Sequence, residues 1–182
     1  MKRLVFLTVC LVFVCANGFA QSYKGEKGVS SVGVILGHAI THKAPTIGVD
    51  YRYNVLDRVR LAPSALYTLK NDYINAFYVN ADAHYLSRIT DNVTIYPLAG
   101  LGLSVWKWDA FVIDDLDDLE SLLNNGLKSK SETKTRIGLN LGFGGEMRIT
   151  KDVVLGAEFR YNLTSERIYD QAMILMRAAY YF

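Results

Sequence analysis

The feature that most constrains the fold is a strict alternation of side-chain character along Val153–Leu163. The odd-numbered residues of this segment are all apolar or aromatic, whereas the even-numbered ones include Glu158, Arg160 and Asn162. A period of two residues is typical of a β-strand whose two faces meet different surroundings. Similar alternation recurs in six other segments and, more weakly, in the segment nearest the N-terminus, so the sequence predicts an all-β chain.

The predicted strands follow one another with short polar connections and one long connection. They span Gly28–Ala39, Thr46–Val55, Val59–Lys70, Phe77–Leu86, Val93–Trp106, Thr135–Ile149, Val153–Leu163 and Ala172–Phe182. Sequential antiparallel pairing through hairpins is the simplest topology for such a series.

The first twenty residues have the pattern of a secretory signal peptide. A basic start is followed by an apolar run, Leu4–Val14, and by small residues at Gly18 and Ala20, so we expect cleavage before Gln21. Both cysteines of the chain also lie in this segment, so the mature chain cannot form a disulfide. The predicted organisation is a signal peptide at residues 1–20 and one domain at residues 21–182.

The charge of the mature chain is balanced. The chain has 20 Lys and Arg against 18 Asp and Glu, and removing the two basic residues of the signal leaves 18 of each. Such a chain has no overall positive field to attract nucleic acid, and we expect no nucleic-acid partner.

Alternation alone does not show which face points inward. In a soluble, lipocalin-like lipid-binding barrel the apolar face fills the interior, whereas in a transmembrane barrel the apolar face meets lipid. We favour the membrane, because the apolar faces of the clear strands carry no charge over about ten residues, the length that a tilted strand needs to cross a bilayer. Aromatic side chains near strand ends also suit the membrane interface. These residues are Tyr53, Tyr67, Phe77, Tyr85, Trp106, Trp108, Tyr161, Tyr180 and Phe182.

The polar face mixes both signs of charge with many glycines. A tight turn at Thr150–Asp152 predicts Gly144 opposite Glu158, and Gly142 opposite Arg160, which suits a narrow interior. An eight-stranded barrel is just wide enough for its own side chains to fill it, and opposite charges there must pair. The charged or titratable residues expected in the lumen are Asp50, Arg52, Arg60, Asp82, His84, Glu146, Arg148, Glu158, Arg160 and Arg177.

The mature chain resembles the small outer-membrane β-barrels of the OmpA/OmpX type. The likeness rests on the signal, the eight strands, the long loop and a last strand that ends Tyr180-Tyr181-Phe182. It implies an eight-stranded antiparallel up-and-down transmembrane β-barrel in the cell outer membrane, in contact with lipid and lipopolysaccharide. Tyr180 and Phe182 resemble the C-terminal signal that the barrel assembly machinery recognises.

The longest connection, Lys107–Lys134, is acidic in its first half and basic in its second. Leucines at helical spacing from Leu116 to Leu127 predict a short amphipathic helix within it. With both chain ends in the periplasm, this connection would lie outside the cell. Long connections in compact domains are typically functional or disordered, so we expect any extracellular ligand to bind through the loops.

No motif in the chain indicates catalysis. The chain lacks a Gly-x-Ser-x-Gly elbow, and His38, His42 and His84 lack the neighbouring ligands of a metal site. We therefore expect no enzyme activity, cofactor or metal. The favoured function is a monomeric barrel with a filled lumen and a structural or surface-interaction role; the alternatives are a narrow passive pore and a soluble lipid-binding barrel.

Overall fold

In the computed structural model of the chain, the described residues are 27–71, 74–111 and 129–182. They form eight long strands: β1 (Ser30–Ala39), β2 (Ala44–Asn54), β3 (Val59–Asn71), β4 (Ile74–Tyr85), β5 (Val93–Phe111), β6 (Ser129–Arg148), β7 (Val153–Thr164) and β8 (Gln171–Tyr181). The two-residue strand Ser87–Arg88 continues β4 along β5 in an unchanged register. A single 3₁₀ turn, Arg167–Tyr169, precedes β8.

The sheet closes on itself. Every long strand pairs antiparallel with the next one in the chain, and β1 pairs with β8 from Ser31–Tyr181 to Ala39–Met173. Two hydrogen bonds extend this seam, from Phe182 N to Ser30 O at 2.9 Å and from Ser30 N to Phe182 O at 3.2 Å. The predicted eight-stranded antiparallel barrel is therefore confirmed, and closure pairs both edges that an open sheet would leave.

The barrel end that holds Ser30 and Phe182 is called the terminal end, and the opposite end is called the loop end. Toward the terminal end, the hairpin between β6 and β7 begins with a hydrogen bond from Ile149 N to Val153 O at 2.9 Å. This turn sets Gly144 opposite Glu158 and Gly142 opposite Arg160. The predicted register of this hairpin is confirmed.

Two strands run well past their predicted limits at the loop end. Pairing between β5 and β6 continues to Phe111 opposite Ser129, whereas the sequence pattern placed the ends of these strands at Trp106 and Thr135. Alternation fades there because polar residues occur at positions of both parities, as with Lys107 and Asp109 on one and Lys130 and Lys134 on the other, although the backbone ladder continues. The predicted helix from Leu116 to Leu127 lies outside the described residues.

Side chains alternate between an apolar outer wall and a packed interior. Outward residues such as Leu101 and Phe143 are 62% and 63% exposed, and the intervening residues of the same strands point inward. Two of the aromatics expected at the membrane interface are exceptions, because Trp106 is buried and Trp108 is half-buried inside the loop end. That expectation was wrong for both, since even-numbered residues of β5 face the lumen whatever their chemistry.

Within residues 27–71, 74–111 and 129–182, no helix has both the length and the apolar character that a bilayer crossing requires.

Candidate functional site

Most of the charge inside the barrel is gathered toward the terminal end. Four arginines face four carboxylates there, and the formal charges of the set cancel. These buried side chains come from six strands, and we call them the ionic cluster: Arg52, Arg60, Arg160, Arg177, Asp50, Asp82, Glu146 and Glu158. Alternation along the strands brings them to one side of the sheet, and closure of the barrel brings them into contact.

Arg52 lies at the centre of the ionic cluster. Its guanidinium donates to Asp50 at 2.7 Å, to Glu158 at 3.2 Å and to Glu146 at 3.4 Å. It also donates to the hydroxyl of Tyr96 at 2.9 Å, and that hydroxyl donates to Glu158 at 3.1 Å. One side chain of β2 therefore ties together β5, β6 and β7 across the lumen.

An ion pair with two parallel hydrogen bonds joins β3 to β6. The two terminal nitrogens of Arg60 donate to the two carboxylate oxygens of Glu146 at 2.8 and 2.7 Å. Its remaining donors reach Asn54 at 2.8 Å and the hydroxyl of Tyr181 at 2.9 Å. A two-pronged pair of this kind is among the strongest charge-assisted contacts in proteins, and its geometry holds both strands in place.

The other two arginines complete the neutralisation. Arg160 lies 2.8 Å from Glu158 and 2.9 Å from Asp82, and Arg177 donates to Asp50 at 2.7 Å. Each carboxylate of the ionic cluster thus meets at least one guanidinium. Buried charge is costly unless it is paired in this way.

The remaining two lumen candidates lie beside the ionic cluster. His84 is 1% exposed and stacks on the ring of Tyr96, with ring centroids 4.5 Å apart and planes 5° from parallel. Arg148 is half-buried near the terminal end, and its guanidinium lies 5.4 Å from the ring centroid of Tyr181. All ten residues expected in the lumen therefore point inward, nine of them buried and one half-buried.

Glycines give the large polar side chains room. A Cβ atom at Gly33 would lie 2.5 Å from Asp50 Oδ1 and 2.7 Å from Arg177 Nε. A Cβ atom at Gly144 would lie 2.6 Å from the ring of Tyr96. Any larger residue at either position would have to displace a member of the polar network or a ring packed against it.

Three asparagines, Asn80, Asn140 and Asn162, lie nearer the loop end, and we call them the amide row. Asn162 donates to Asn140 at 2.6 Å, and Asn140 donates to Asn80 at 2.9 Å and to Asp82 at 2.8 Å. The row links β4, β6 and β7 and joins the ionic cluster through Asp82. It extends the polar filling of the barrel by one further layer.

The loop end is closed by rings. Trp106 contacts three of them, with centroid distances of 4.7 Å to His42, 5.7 Å to Tyr78 and 5.7 Å to Tyr169. Trp108 adds an edge-on contact to Tyr169 at 6.4 Å. We call these five residues the aromatic cap. Burial in it lowers the pKa of His42.

Sequence reasoning missed the aromatic cap, although part of its signal was present. Trp106 and Trp108 occupy even-numbered positions of β5, the same parity as the inward residues Tyr96 and Ser104. Tyr169 and His42 lie in connections, where alternation carries no information. Their inward position depends on the path of two short connections.

The three histidines do not meet. His38 is exposed on the outer wall, His42 belongs to the aromatic cap and His84 lies beside the ionic cluster. In the part of the chain that the structure describes, no three His, Cys, Asp or Glu side chains are grouped as metal ligands.

Comparison with known structures places the fold among small bacterial barrels. The N-terminal β-barrel domain of Pseudomonas aeruginosa OprF is similar, with a TM-score of 0.60 and 17% identity over 86% of this chain and 98% of that one. Ail, the attachment invasion locus protein of Yersinia pestis, gives a TM-score of 0.55 and 20% identity over 86% and 99% of the two chains. Ail in complex with the heparin analogue sucrose octasulfate gives a TM-score of 0.54 and 18% identity over 86% of this chain and 99% of that one.

Among curated proteins, none matches the chain. The family model described as "Outer membrane protein beta-barrel domain" matches residues 6–182, which include every strand of the barrel. The closed sheet, its apolar outer wall and its charge-filled lumen agree with that match. The chain therefore belongs to the outer membrane protein beta-barrel domain family.

Proposed function

We propose that this protein is an integral outer-membrane barrel with a filled lumen, and that it has a structural or surface-interaction role. Its main extracellular contact element is the connection Lys107–Lys134. The observation that carries this proposal is the hairpin of β5 and β6 at the loop end. Its ladder reaches Phe111 and Ser129, whereas pairing of β5 with β4 stops at Trp108 and pairing of β6 with β7 stops at Gly138.

The hairpin is suited to display its tip away from the membrane. Among the described residues, Ser129–Ile137 pair with β5 on one side and have no β7 partner on the other. This stretch carries Lys130, Lys134 and Arg136 but one acidic residue, Glu132. The basic second half of the connection, as distinct from its acidic first half, fits a partner that is itself negatively charged.

A sulfated polysaccharide is the probe of choice, because Ail has been solved with a heparin analogue and shares this fold. Cells displaying the barrel should bind immobilised heparin, and a variant with both Lys130→Gln and Lys134→Gln should bind less. Lys151→Gln is the matched control, since it removes a charge in a turn at the terminal end. Equal binding by the double variant and the parent would contradict a contact role for this face of the hairpin.

The packed interior supports a barrel that does not conduct. The ionic cluster, the amide row and the aromatic cap lie in succession along the lumen, and the charges within the ionic cluster are mutually neutralised. The competing proposal is a narrow passive pore, formed when this network rearranges. Planar-bilayer recording of the purified protein separates the two: a steady single-channel conductance would overturn the filled lumen.

We propose the remaining features by analogy with the family. Outer-membrane lipid and lipopolysaccharide surround the apolar wall, the barrel assembly machinery inserts the chain, and the barrel acts as a monomer without enzyme activity or cofactor. Tyr180 and Phe182, 55% and 69% exposed on the outer wall, fit the assembly signal. The proposed signal peptide at residues 1–20 lies outside the described residues, and sequencing the N-terminus of the mature protein tests cleavage before Gln21.

A further inference from the structure

Six residues between β7 and β8, Ser165–Asp170, fold across the loop end of the barrel. Backbone hydrogen bonds from Tyr169 to Glu166 at 3.0 Å and from Asp170 to Arg167 at 3.1 Å form the 3₁₀ turn. Tyr169 points into the lumen and is 5% exposed, whereas its neighbour Ile168 is 65% exposed. The segment therefore enters the barrel with one side chain.

The base of this segment is closed by its own hydrogen bonds. Thr164 N donates to Asp170 Oδ1 at 2.7 Å, and the hydroxyl of Thr164 donates to the carbonyl of Glu166 at 2.7 Å. The backbone ladder between β7 and β8 begins beside it, with Asn162 opposite Gln171. Because these bonds lie within the connection and the ladder starts at Asn162 and Gln171, withdrawing Tyr169 from the lumen does not require any ladder bond to break.

Tyr169 anchors the segment over the lumen as a member of the buried cluster at the loop end. The Tyr169 ring rests on Trp106 and Trp108 from above. On the side of β6, the Arg136 guanidinium lies 4.9 Å from the centroid of the same ring. Arg136 Nη2 also donates to Glu166 Oε1 at 2.8 Å. One side chain of the emergent hairpin thus holds the segment by both a ring contact and an ion pair.

We propose that Ser165–Asp170 is a lid on the loop end of the lumen and that Arg136 is its latch. A segment with a single buried side chain, whose other five residues are exposed or half-buried, belongs to the low-stability end of a protein's local openings. Opening exposes the aromatic cap and leaves the ionic cluster and its strand ladder in place. The lid goes beyond the filled lumen proposed above, because it makes one end of that filling removable.

The chain carries its own reporters for the lid. Its two tryptophans are Trp106 and Trp108, and both lie beneath Tyr169. Acrylamide quenching of tryptophan fluorescence in the refolded, detergent-solubilised protein therefore measures how often the lid is open. Arg136→Ala should raise the open population about five-fold, through loss of a cation–π contact and an exposed ion pair. Tyr169→Ala should raise quenching further.

Two matched variants make the test specific. Arg167→Ala removes an equal charge from an exposed side chain of the lid itself, and Tyr169→Phe keeps the ring; both should quench like the parent. Adding Arg136→Ala to Tyr169→Ala should raise quenching less than Arg136→Ala does in the parent, because only the ion pair with Glu166 then remains to be lost. Retained heat-modifiable migration on SDS gels shows that each variant is folded.

Two results would overturn the proposal. In a folded Arg136→Ala protein, quenching equal to that of the parent would show that Arg136 does not stabilise the closed lid. Quenching of Arg167→Ala as strong as that of Arg136→Ala would show a general effect of charge instead of a latch.

Discussion

At the scale of single residues, two adjacent glycines of β6 lie on opposite faces of the sheet, one facing the lumen and the other the outside. A Cβ atom at Gly144 would lie 2.6 Å from the Tyr96 ring inside the lumen, whereas one at Gly145 would meet nothing nearer than 3.7 Å. Gly144→Ala should therefore lower the free energy of unfolding by about 1–3 kcal/mol through overpacking. Gly145→Ala, on the outer wall, should change it by about 0.5 kcal/mol or less. Urea unfolding in detergent micelles measures both, and equal effects would refute tight packing at Gly144.

The pair between Arg60 and Glu146 provides a second test at this scale. Arg60→Ala leaves a buried carboxylate short of its closest partner, and removal of one member of a buried pair costs about 3–5 kcal/mol of the unfolding free energy. Arg58→Ala serves as the control, because its half-buried side chain makes a hydrogen bond of 3.4 Å to Tyr85 at the barrel rim. A loss no larger than that of Arg58→Ala would show that Arg52, the second partner of Glu146, or water compensates for the missing guanidinium.

Alternation along the strands predicts which residues share the lumen but not which of them pair. Arg60 and Glu146 are 86 residues apart in the chain, and their contact depends on how far the strands are staggered around the closed sheet. The pairing of Gly144 with Glu158 was predictable because a short turn sets that register directly. Contacts across the lumen have no comparable local signal.

At the scale of elements, we expect the turn between β1 and β2 to respond to pH. Burial lowers the pKa of His42, whereas in an open turn it would have the ordinary value of about 6.5. Packing of the neutral ring is therefore fully stabilising above about pH 6.5 and weakens as the pH falls from there toward the lowered pKa. Acrylamide quenching of Trp106 should rise between about pH 7 and pH 5.

Substitutions distinguish this titration from others in the chain. His42→Phe keeps a ring against Trp106 and should remove the rise, whereas His38→Phe, on the outer wall, should leave it unchanged. If His42→Phe kept the full pH dependence, another group would be responsible.

The last strand tests the proposed assembly signal. Phe182 and Phe159 both belong to the outer wall, but Phe182 closes the C-terminal strand and Phe159 packs against Phe143 in the middle of the wall. Phe182→Ala should reduce the amount of barrel in the outer membrane more than Phe159→Ala does. Fractionation and heat-modifiable migration measure this, and full assembly of both variants would contradict a signal at Phe182.

The bounds of a strand could be predicted from the sequence where its two faces carry different types of residue. They could not be predicted beyond the point where the two faces become alike. The strands that end near the barrel rim, such as β7 and β8, were found from alternation to within a residue or two. The extensions of β5 to Phe111 and of β6 to Ser129 were missed, since polar residues at positions of both parities remove the pattern. The 3₁₀ turn Arg167–Tyr169 left no periodic signal at all.

At the scale of the whole molecule, the outer wall is apolar, whereas the interior holds charged side chains that pair with one another. A closed barrel ladder around a charge-neutral ionic cluster should resist SDS until heated, so the folded barrel should migrate faster than the boiled one. It should also be recovered from membranes only with detergent, because its outer wall is apolar. Recovery of the folded protein as a soluble periplasmic monomer would contradict this and would revive the soluble barrel.

The difference between the outward and inward faces of the strands also affects how far sequences with this fold can diverge. An outward residue need only remain apolar, so Leu can replace Val or Phe there with few effects on its neighbours. An inward residue such as Arg52, with contacts on four strands, can change only together with several others. Lineages that settle on different interior networks can therefore keep one backbone while losing almost all identity. The 17% identity to the OprF barrel over 98% of its length shows how different two sequences with this fold can be.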